Sequence, residues 1–171
     1  MKIIRIDSDN KTCLIADSAW RPHRRPYFVP DGQSIICEIR PALRIDRLGK
    51  AIGPKFATRY IGAWSPVCCM LPSADYHDLA PTGMLDDSLV IGEWLQLPQD
   101  NISLTLGSDT MHWEFRADIA ADLIARLSQA ATFKTGDIII LPQTLFRFIP
   151  AAGNSVTLSV SDSRILEFNI R

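Results

Sequence analysis

Residues 35–50 read IICEIRPALRIDRLGK and have the pattern of one long β-strand that runs into a turn. Apolar positions recur at every second residue, and one face would carry Ile35, Cys37, Ile39, Leu43 and Ile45. This period of two is typical of a strand with one buried face. The other face would carry Ile36, Glu38, Arg40, Ala42 and Arg44. Glu38 and Arg40 are therefore predicted to project from the same side of the strand.

Two residues in this stretch restrict how it can be placed. Pro41 has no N–H to give to a β-ladder, so it predicts an edge position or a bulge. Gly49 can take a positive φ, so residues 48–50 are predicted to end the strand in a turn.

The composition is that of an ordinary soluble globular chain. Its 171 residues, 47% apolar and 22% charged, predict a single domain over residues 1–171. The net charge of −1 gives no basic excess for nucleic acid. The densest basic cluster, at residues 21–25, lies between prolines and is predicted to be a solvated loop.

Targeting and redox signals point to a cytoplasmic protein. No segment approaches the roughly 20 apolar residues of a membrane-spanning helix, and the first residues lack a signal-peptide pattern. The four cysteines have no metal-finger spacing, so reduced thiols are expected. No nucleic-acid or membrane partner is predicted.

The rest of the chain predicts short strands and one substantial helix. An N-terminal hairpin is expected from residues 3–6 and 12–16, and one helical turn from residues 55–60. Further strands are predicted at residues 27–29, 62–71, 102–106, 111–115, 138–141, 155–160 and 165–170. Residues 75–85 are predicted to be a polar loop that holds His77. The helix is predicted over residues 117–131, with Asp118 as its cap and an apolar stripe of Ile119, Ala120, Leu123, Ile124 and Leu127.

The order and spacing of these segments resemble the fumarylacetoacetate hydrolase family. That family has a long Glu-x-Glu strand followed by Gly-Lys, and Glu38-Ile39-Arg40 and Gly49-Lys50 stand at those positions here. The resemblance covers roughly residues 26–171. It implies a mainly β (α+β) fold, a rolled mixed β-sheet with one main helix at about residues 117–131. Residues 1–30 do not resemble the family's lid segment and are predicted to be a divergent hairpin in its place.

The resemblance also supplies candidate residues for a cleft. In the family the two glutamates and a later aspartate bind a divalent metal. Glu38 is the one retained ligand position, because Arg40 stands at the second glutamate and Cys69 at the aspartate. Asp86 matches a family acid, and Gln143 lies in the loop that replaces the family's glycine- and threonine-rich carboxylate cradle. Mg²⁺ and Mn²⁺ prefer oxygen ligands, so a neutral thiol at Cys69 would bind either poorly.

Glu38 has two interpretations. It is a metal ligand, or it forms an ion pair with Arg40 or Arg44. An unpaired buried carboxylate is costly, so Arg40 could take the metal's place, with a bidentate fork if the geometry allows. Cys68 and Cys69 are predicted to be buried structural thiols, since neither His77 nor His112 is linked to them as a base.

Three functions fit these observations. The first is a degenerate family member, a binding or structural protein without the metal chemistry, cofactor or assigned catalytic residues of the family. The second is a divergent hydrolase, isomerase or decarboxylase that acts on a keto-acid with Mg²⁺ or Mn²⁺. The third is a metal-free binder of a small anionic ligand through Arg40. We favour the first. Family members are commonly homodimers, so a homodimer is expected, with Trp20, Trp64 and Phe146 as interface candidates.

Overall fold

The computed structural model describes residues 1–7, 9, 11–29, 35–72 and 85–171. The strands in this part of the chain are β1 (Ile3–Ile6), β2 (Thr12–Ile15), β3 (Trp20–Pro22), β4 (Ile35–Ile45), β5 (Ile61–Pro72), β6 (Leu89–Ile91), β7 (Ile102–Leu106), β8 (Asp109–Trp113), β9 (Ile138–Ile140), β10 (Phe146–Phe148), β11 (Ser155–Val160) and β12 (Ser163–Asn169). The helices are α1 (Pro54–Ala57) and α2 (Ala117–Ala130), and short 3-10 helices occur at Asp17–Ala19 and Thr58–Tyr60. None of the helices described is long and apolar enough to cross a bilayer.

β4 and β5 form the centre of an eight-stranded mixed sheet. They pair antiparallel from Ile35 opposite Pro72 to Ile45 opposite Ile61. The strand order is β2-β1-β9-β4-β5-β6-β3, with β10 also beside β4. The β1–β9 and β3–β6 pairs are parallel, whereas β4 pairs antiparallel with all of its neighbours. A second sheet, of order β12-β11-β7-β8, is antiparallel throughout.

Pro41 lies in the middle of the sheet, so the predicted edge position or bulge is wrong. It is buried and stands opposite Pro66 on β5. The Pro41 carbonyl oxygen accepts a hydrogen bond from the N–H of Leu141, and the Pro66 carbonyl accepts one from Gly92. Each carbonyl points away from the partner strand of the β4–β5 pair. The N–H and C=O of one strand residue point to the same side, so an N–H at either position would also point away from the partner strand. The two prolines therefore remove no hydrogen bond between β4 and β5.

The two faces of the sheet bury separate apolar cores. The larger core contains the predicted apolar face of β4 together with α2 and the second sheet. The smaller core lies against the opposite face and consists of Ile3, Ile15, Ala19, Ala42, Val67, Cys69, Leu89, Ile91, Ile138 and Ile140. β4 is thus buried on both faces, not on one as its alternating pattern predicted.

The sheet is rolled so that its two end strands come close together. β2 ends at Ile15 and β3 begins at Trp20, so four residues join opposite ends of the strand order. Five residue steps span at most about 18 Å, whereas a flat sheet would separate these strands by about 29 Å. Ala19, in the connection, is fully buried in the smaller core. The smaller core therefore fills the inside of the roll, and the predicted rolled mixed sheet is confirmed.

The main helix, α2, is one residue shorter than predicted. Its buried side includes Ala120, Leu123 and Ile124, as expected, but Ile119 is 51% exposed. Asp118 does not cap the helix, because Arg116 is the N-cap residue and no side chain caps it. Asp118 instead accepts hydrogen bonds from the Arg116 guanidinium, the shorter at 2.8 Å.

Other sequence predictions differ from the structure in detail. Residues 27–29 form no strand, and Tyr27 makes a single bridge to Ile170. The basic cluster is not all solvated, since Arg21 belongs to β3 and is buried. Trp64 is 1% exposed in the larger core, so it is not an interface residue. The predicted polar loop, apart from Leu85, lies outside the described residues.

Asp137 connects the start of β1 to the start of β9. Its buried carboxylate accepts hydrogen bonds from the N–H groups of Lys2 and Lys134, at 2.7 and 2.8 Å, and lies 2.7 Å from the Lys2 ammonium. Burial alone would raise the pKa of Asp137, but the contacts with Lys2 and the N–H groups hold it below its ordinary value.

We expect Asp137→Asn to lower the free energy of unfolding at pH 7 by about 1–3 kcal/mol. An acid whose pKa is lowered by folding stabilises the protein above its unfolded-state pKa, and this stabilisation is lost as the pH falls through the folded-state pKa. The difference from wild type should therefore be full at pH 7 and shrink below about pH 4. Urea unfolding at pH 7 and pH 3 measures it. Asp122→Asn, an exposed acid 3.8 Å from Arg126, is the control. An equal loss at both pH values would contradict this account.

Candidate functional site

Glu38 and Arg40 form a buried ion pair on the inside of the roll. Their side chains are 8% and 9% exposed. Arg40 donates from Nε at 2.9 Å and from Nη2 at 2.7 Å, and both bonds reach Oε2 of Glu38. The structure thus pairs Glu38 with Arg40, not with Arg44. The pair is not a fork with one nitrogen on each oxygen, since a single carboxylate oxygen takes both hydrogen bonds.

Further charged side chains from neighbouring strands extend this pair into a cluster. Arg147 lies opposite Glu38 in the β4–β10 register, with its Nε 3.7 Å from Glu38 Oε1. Arg40 Nη1 is 3.5 Å from Oδ1 of Asp7, which directly follows β1. Arg5, on β1, donates to both Asp7 oxygens at 3.0 and 3.3 Å. We call this set, Arg5, Asp7, Glu38, Arg40 and Arg147, the arginine cluster.

The arginine cluster has an excess of one positive charge. It contains three guanidinium groups and two carboxylates. The N–H donors of Arg40 are largely occupied within the protein, because Nη1 also donates to the Ile6 carbonyl at 3.2 Å. The Arg147 side chain is 62% exposed. Its 3.7 Å distance to Glu38 exceeds that of an ordinary hydrogen bond. The most exposed charge of the cluster is therefore the guanidinium of Arg147.

Cys69 lies beside the ion pair as a protonated thiol. It stands opposite Glu38 in the β4–β5 register and is buried. Burial raises the pKa of Cys69 to about 12. The side chain of Cys68 belongs to the larger core, where a hydrogen bond with Cys37 and burial raise its pKa. Neither thiol has the thiolate character that nucleophilic attack or metal binding requires.

The residues at the family's metal position do not fit Mg²⁺ or Mn²⁺. Both metals need several oxygen ligands. Here one oxygen of Glu38 accepts two hydrogen bonds from Arg40, and Cys69 offers a neutral sulfur. Within the described ranges, no group of three or more histidine, cysteine, aspartate or glutamate side chains is placed to hold a metal.

The other two predicted cleft residues do not contact this ion pair. Gln143 is exposed, and its Oε1 accepts a hydrogen bond of 2.9 Å from the indole N–H of Trp113. Trp113 packs on Trp64 in the larger core, with ring centres 4.6 Å apart. Asp86 is exposed in the turn before β6, near the end of the roll where Leu89 pairs with Cys69. Gln143 is therefore placed on the other side of the sheet, and Asp86 at the rim.

Arg5, Asp7 and Arg147 were not predicted as site residues. A signal was present at Arg5, which stands between Ile4 and Ile6 in an otherwise apolar strand. A single charge within an apolar strand indicates a partner, because an unpaired charge is costly to bury, and Asp7 is the nearest acid in the sequence. Nothing in the sequence linked Arg147 to Glu38 or Arg40 to Asp7, because these contacts join distant strands.

No protein-family model and no curated protein sequence matches the chain. Solved structures do match it over 99% of its length. One is 5-carboxymethyl-2-hydroxymuconate delta-isomerase from Mycobacterium smegmatis, with a TM-score of 0.81, 15% identity and 78% of that chain covered. A second is 2-hydroxyhepta-2,4-diene-1,7-dioate isomerase from Mycobacterium marinum, with a TM-score of 0.80, 16% identity and 73% of that chain covered. A third is fumarylpyruvate hydrolase from Pseudomonas aeruginosa in complex with Mn²⁺ and pyruvate, with a TM-score of 0.79, 13% identity and 89% of that chain covered.

These neighbours are hydrolases and isomerases of the fumarylacetoacetate hydrolase family. Identities of 13–16% establish a shared fold and leave activity open. The likeness extends over nearly the whole chain and agrees with the rolled sheet, the long central strand pair and the single main helix. The chain has the fold of the fumarylacetoacetate hydrolase family.

Proposed function

We propose that this chain binds a small carboxylate anion, of the keto-acid class, at the arginine cluster and without a divalent metal. The observation that carries the proposal is the exposed guanidinium of Arg147, whose contact with Glu38 is longer than a hydrogen bond. Three guanidinium groups stand against two carboxylates, and the most exposed of the five side chains is that of Arg147.

The chemistry of guanidinium supports a carboxylate ligand. Its planar set of N–H donors matches the two oxygens of a carboxylate, and it stays charged at any physiological pH. Arg147 has donors to spare, since its contact with Glu38 is long. Arg40 would hold Glu38 neutralised, so that an incoming anion does not meet an uncompensated negative charge.

The structural neighbours suggest the size and type of the anion. The neighbours include two isomerases and a hydrolase, and the hydrolase was solved with Mn²⁺ and pyruvate. Pyruvate is therefore the probe of choice. We propose binding without a metal, because Glu38 is paired with Arg40 and Cys69 offers a neutral sulfur.

A second candidate function is metal-dependent hydrolysis or isomerisation of a keto-acid. The Mn²⁺ complex of the neighbouring hydrolase favours it. It would require Glu38 to leave Arg40 and to find further oxygen ligands. We rank it below metal-free binding for that reason.

Calorimetric titration with pyruvate in the presence of EDTA tests the proposal. We expect wild-type protein to bind, and Arg147→Met to weaken binding by about tenfold or more, the usual effect of losing a charge-assisted hydrogen bond. Arg164→Met is the matched control. Arg164 is 70% exposed and lies 3.8 Å from Glu167, whereas Arg147 is 62% exposed and lies 3.7 Å from Glu38.

Two outcomes would count against metal-free binding. Pyruvate that binds only when Mn²⁺ replaces EDTA, and no longer binds to Glu38→Gln protein, would establish the second candidate in its place. Pyruvate that binds equally well to wild type and to Arg147→Met would place the anion away from the arginine cluster.

A further inference from the structure

A pocket lies at the opposite end of the roll from the arginine cluster. Its volume is about 400 Å³, and Trp20, His23, Arg44, Glu93, Trp94 and Ile138 are among the residues that line it. This volume lies within the range of small-molecule sites. We call it the tryptophan pocket.

Buried apolar side chains separate the tryptophan pocket from the arginine cluster. Arg44 is six residues after Glu38 on β4, which is about 20 Å along a strand. Ala42, Val67 and Ile140, in the smaller core, have no exposed surface. The roll is therefore closed between its two ends, and a ligand of one site does not reach the other.

Arg44 supplies a positive charge to the tryptophan pocket. Its guanidinium lies 5.1 Å from the ring centre of Trp94, which is a cation–π contact. Among the residues described, no carboxylate pairs with it, in contrast to Arg40. The side chain is half-buried. Since no hydrogen bond joins its guanidinium to a described residue, Arg44 can donate to an anion in a partly desolvated site, where such a bond is stronger than in water.

A second tryptophan indicates an aromatic ligand. Trp20, on β3, is 44% exposed and adds a second indole to the pocket.

The charges at the rim favour an anion over a cation. Glu93 also lines the pocket, but Arg24 lies 3.3 Å from its carboxylate and compensates it. Among the described residues that line the pocket, the charge without a carboxylate partner is that of Arg44. We infer that the tryptophan pocket binds a planar aromatic carboxylate, with the carboxylate on Arg44 and the ring against the tryptophans. This site is independent of the function proposed for the arginine cluster.

Titration with 2-naphthoate, followed by calorimetry and by tryptophan fluorescence, tests the inference. We expect wild-type protein to bind it with quenching, and the neutral 2-naphthamide to bind more weakly by about tenfold or more. Arg44→Met should reduce the affinity for naphthoate to that for naphthamide. Trp20→Leu, which changes an exposed side chain, should weaken both ligands. Arg164→Met should bind naphthoate as wild type does.

The inference fails if naphthoate does not bind at millimolar concentration, or if Arg44→Met and Trp20→Leu both bind it as wild type does. Repeating the titration with pyruvate present separates the two sites. An unchanged affinity means that they are distinct, whereas a loss of naphthoate binding in Arg147→Met but not in Arg44→Met would place naphthoate at the arginine cluster and overturn the inference. If naphthoate binds and pyruvate does not, the proposed function of the arginine cluster is wrong and the inference about the tryptophan pocket stands.

Discussion

Arg40→Met is expected to lower the free energy of unfolding by about 3–5 kcal/mol, the usual consequence of removing one partner of a buried ion pair. The physical reason is the carboxylate that remains. Glu38 is 8% exposed and receives its two shortest hydrogen bonds from Arg40. Without them its charge stays buried next to the neutral Cys69. Urea denaturation followed by circular dichroism measures the loss.

A double variant shows whether the loss of stability comes from the unpaired charge or from the change in side-chain volume. Glu38→Gln with Arg40→Met removes both charges, and we expect it to recover much of the loss, because replacing a buried pair together is often nearly neutral. It also keeps the test informative if the single variant does not fold. Arg147→Met should stay within about 1 kcal/mol of wild type, since its contact with Glu38 is solvent-exposed. An Arg40→Met protein as stable as wild type would mean that Glu38 is solvated.

Gly92→Ala has the second largest expected effect, a loss of about 3 kcal/mol or more from overpacking. A Cβ atom at Gly92 would lie 2.5 Å from the carbonyl oxygen of Ile165 and 3.1 Å from that of Pro66. Both are backbone atoms of neighbouring strands, so neither can rotate away. The N–H of Gly92 also donates to the Pro66 carbonyl, so a shift of the chain would lengthen that bond. Thermal unfolding monitored by calorimetry measures the effect.

Gly53→Ala is the matched control for this substitution. A Cβ atom at Gly53 meets nothing nearer than Phe56, at 3.8 Å. The backbone φ of −70° is one that alanine adopts freely. Its effect should stay within about 1 kcal/mol, the usual scale for a helix-cap position. Equal losses in the two alanine variants would show that steric overlap at Gly92 is not the cause.

The long central strand was predictable because its information is local. Alternation over residues 35–45 identified the apolar face, and the same alternation placed Glu38 and Arg40 together. The same alternation could not predict that both faces of β4 are buried. β4 is buried on both sides because a distant strand, β2, is brought round to β3 and closes the roll. Local patterns contain no information about that closure.

The errors at Pro41 and in the arginine cluster have the same origin. Pro41 is acceptable in a central strand only because Pro66 faces it and both carbonyls are used by outer neighbours. Arg147 reaches Glu38, and Arg40 reaches Asp7, from strands far apart in sequence. Each feature depends on register between distant segments, which a single sequence does not specify. The resemblance to a family predicted the fold, and the positions of that family's metal ligands identified Glu38 and Cys69 as candidates.

The short connection between β2 and β3 also bears on how the protein avoids aggregation. In the described part of the chain, these two strands end the main path of the eight-stranded sheet, and they have four and three residues. Unpaired strand edges are templates on which other chains add, and short edges that contain proline are poor templates. Pro22 lies within β3. By bringing both short edges together, the roll offers other molecules little free backbone, although much of the chain is β-structure.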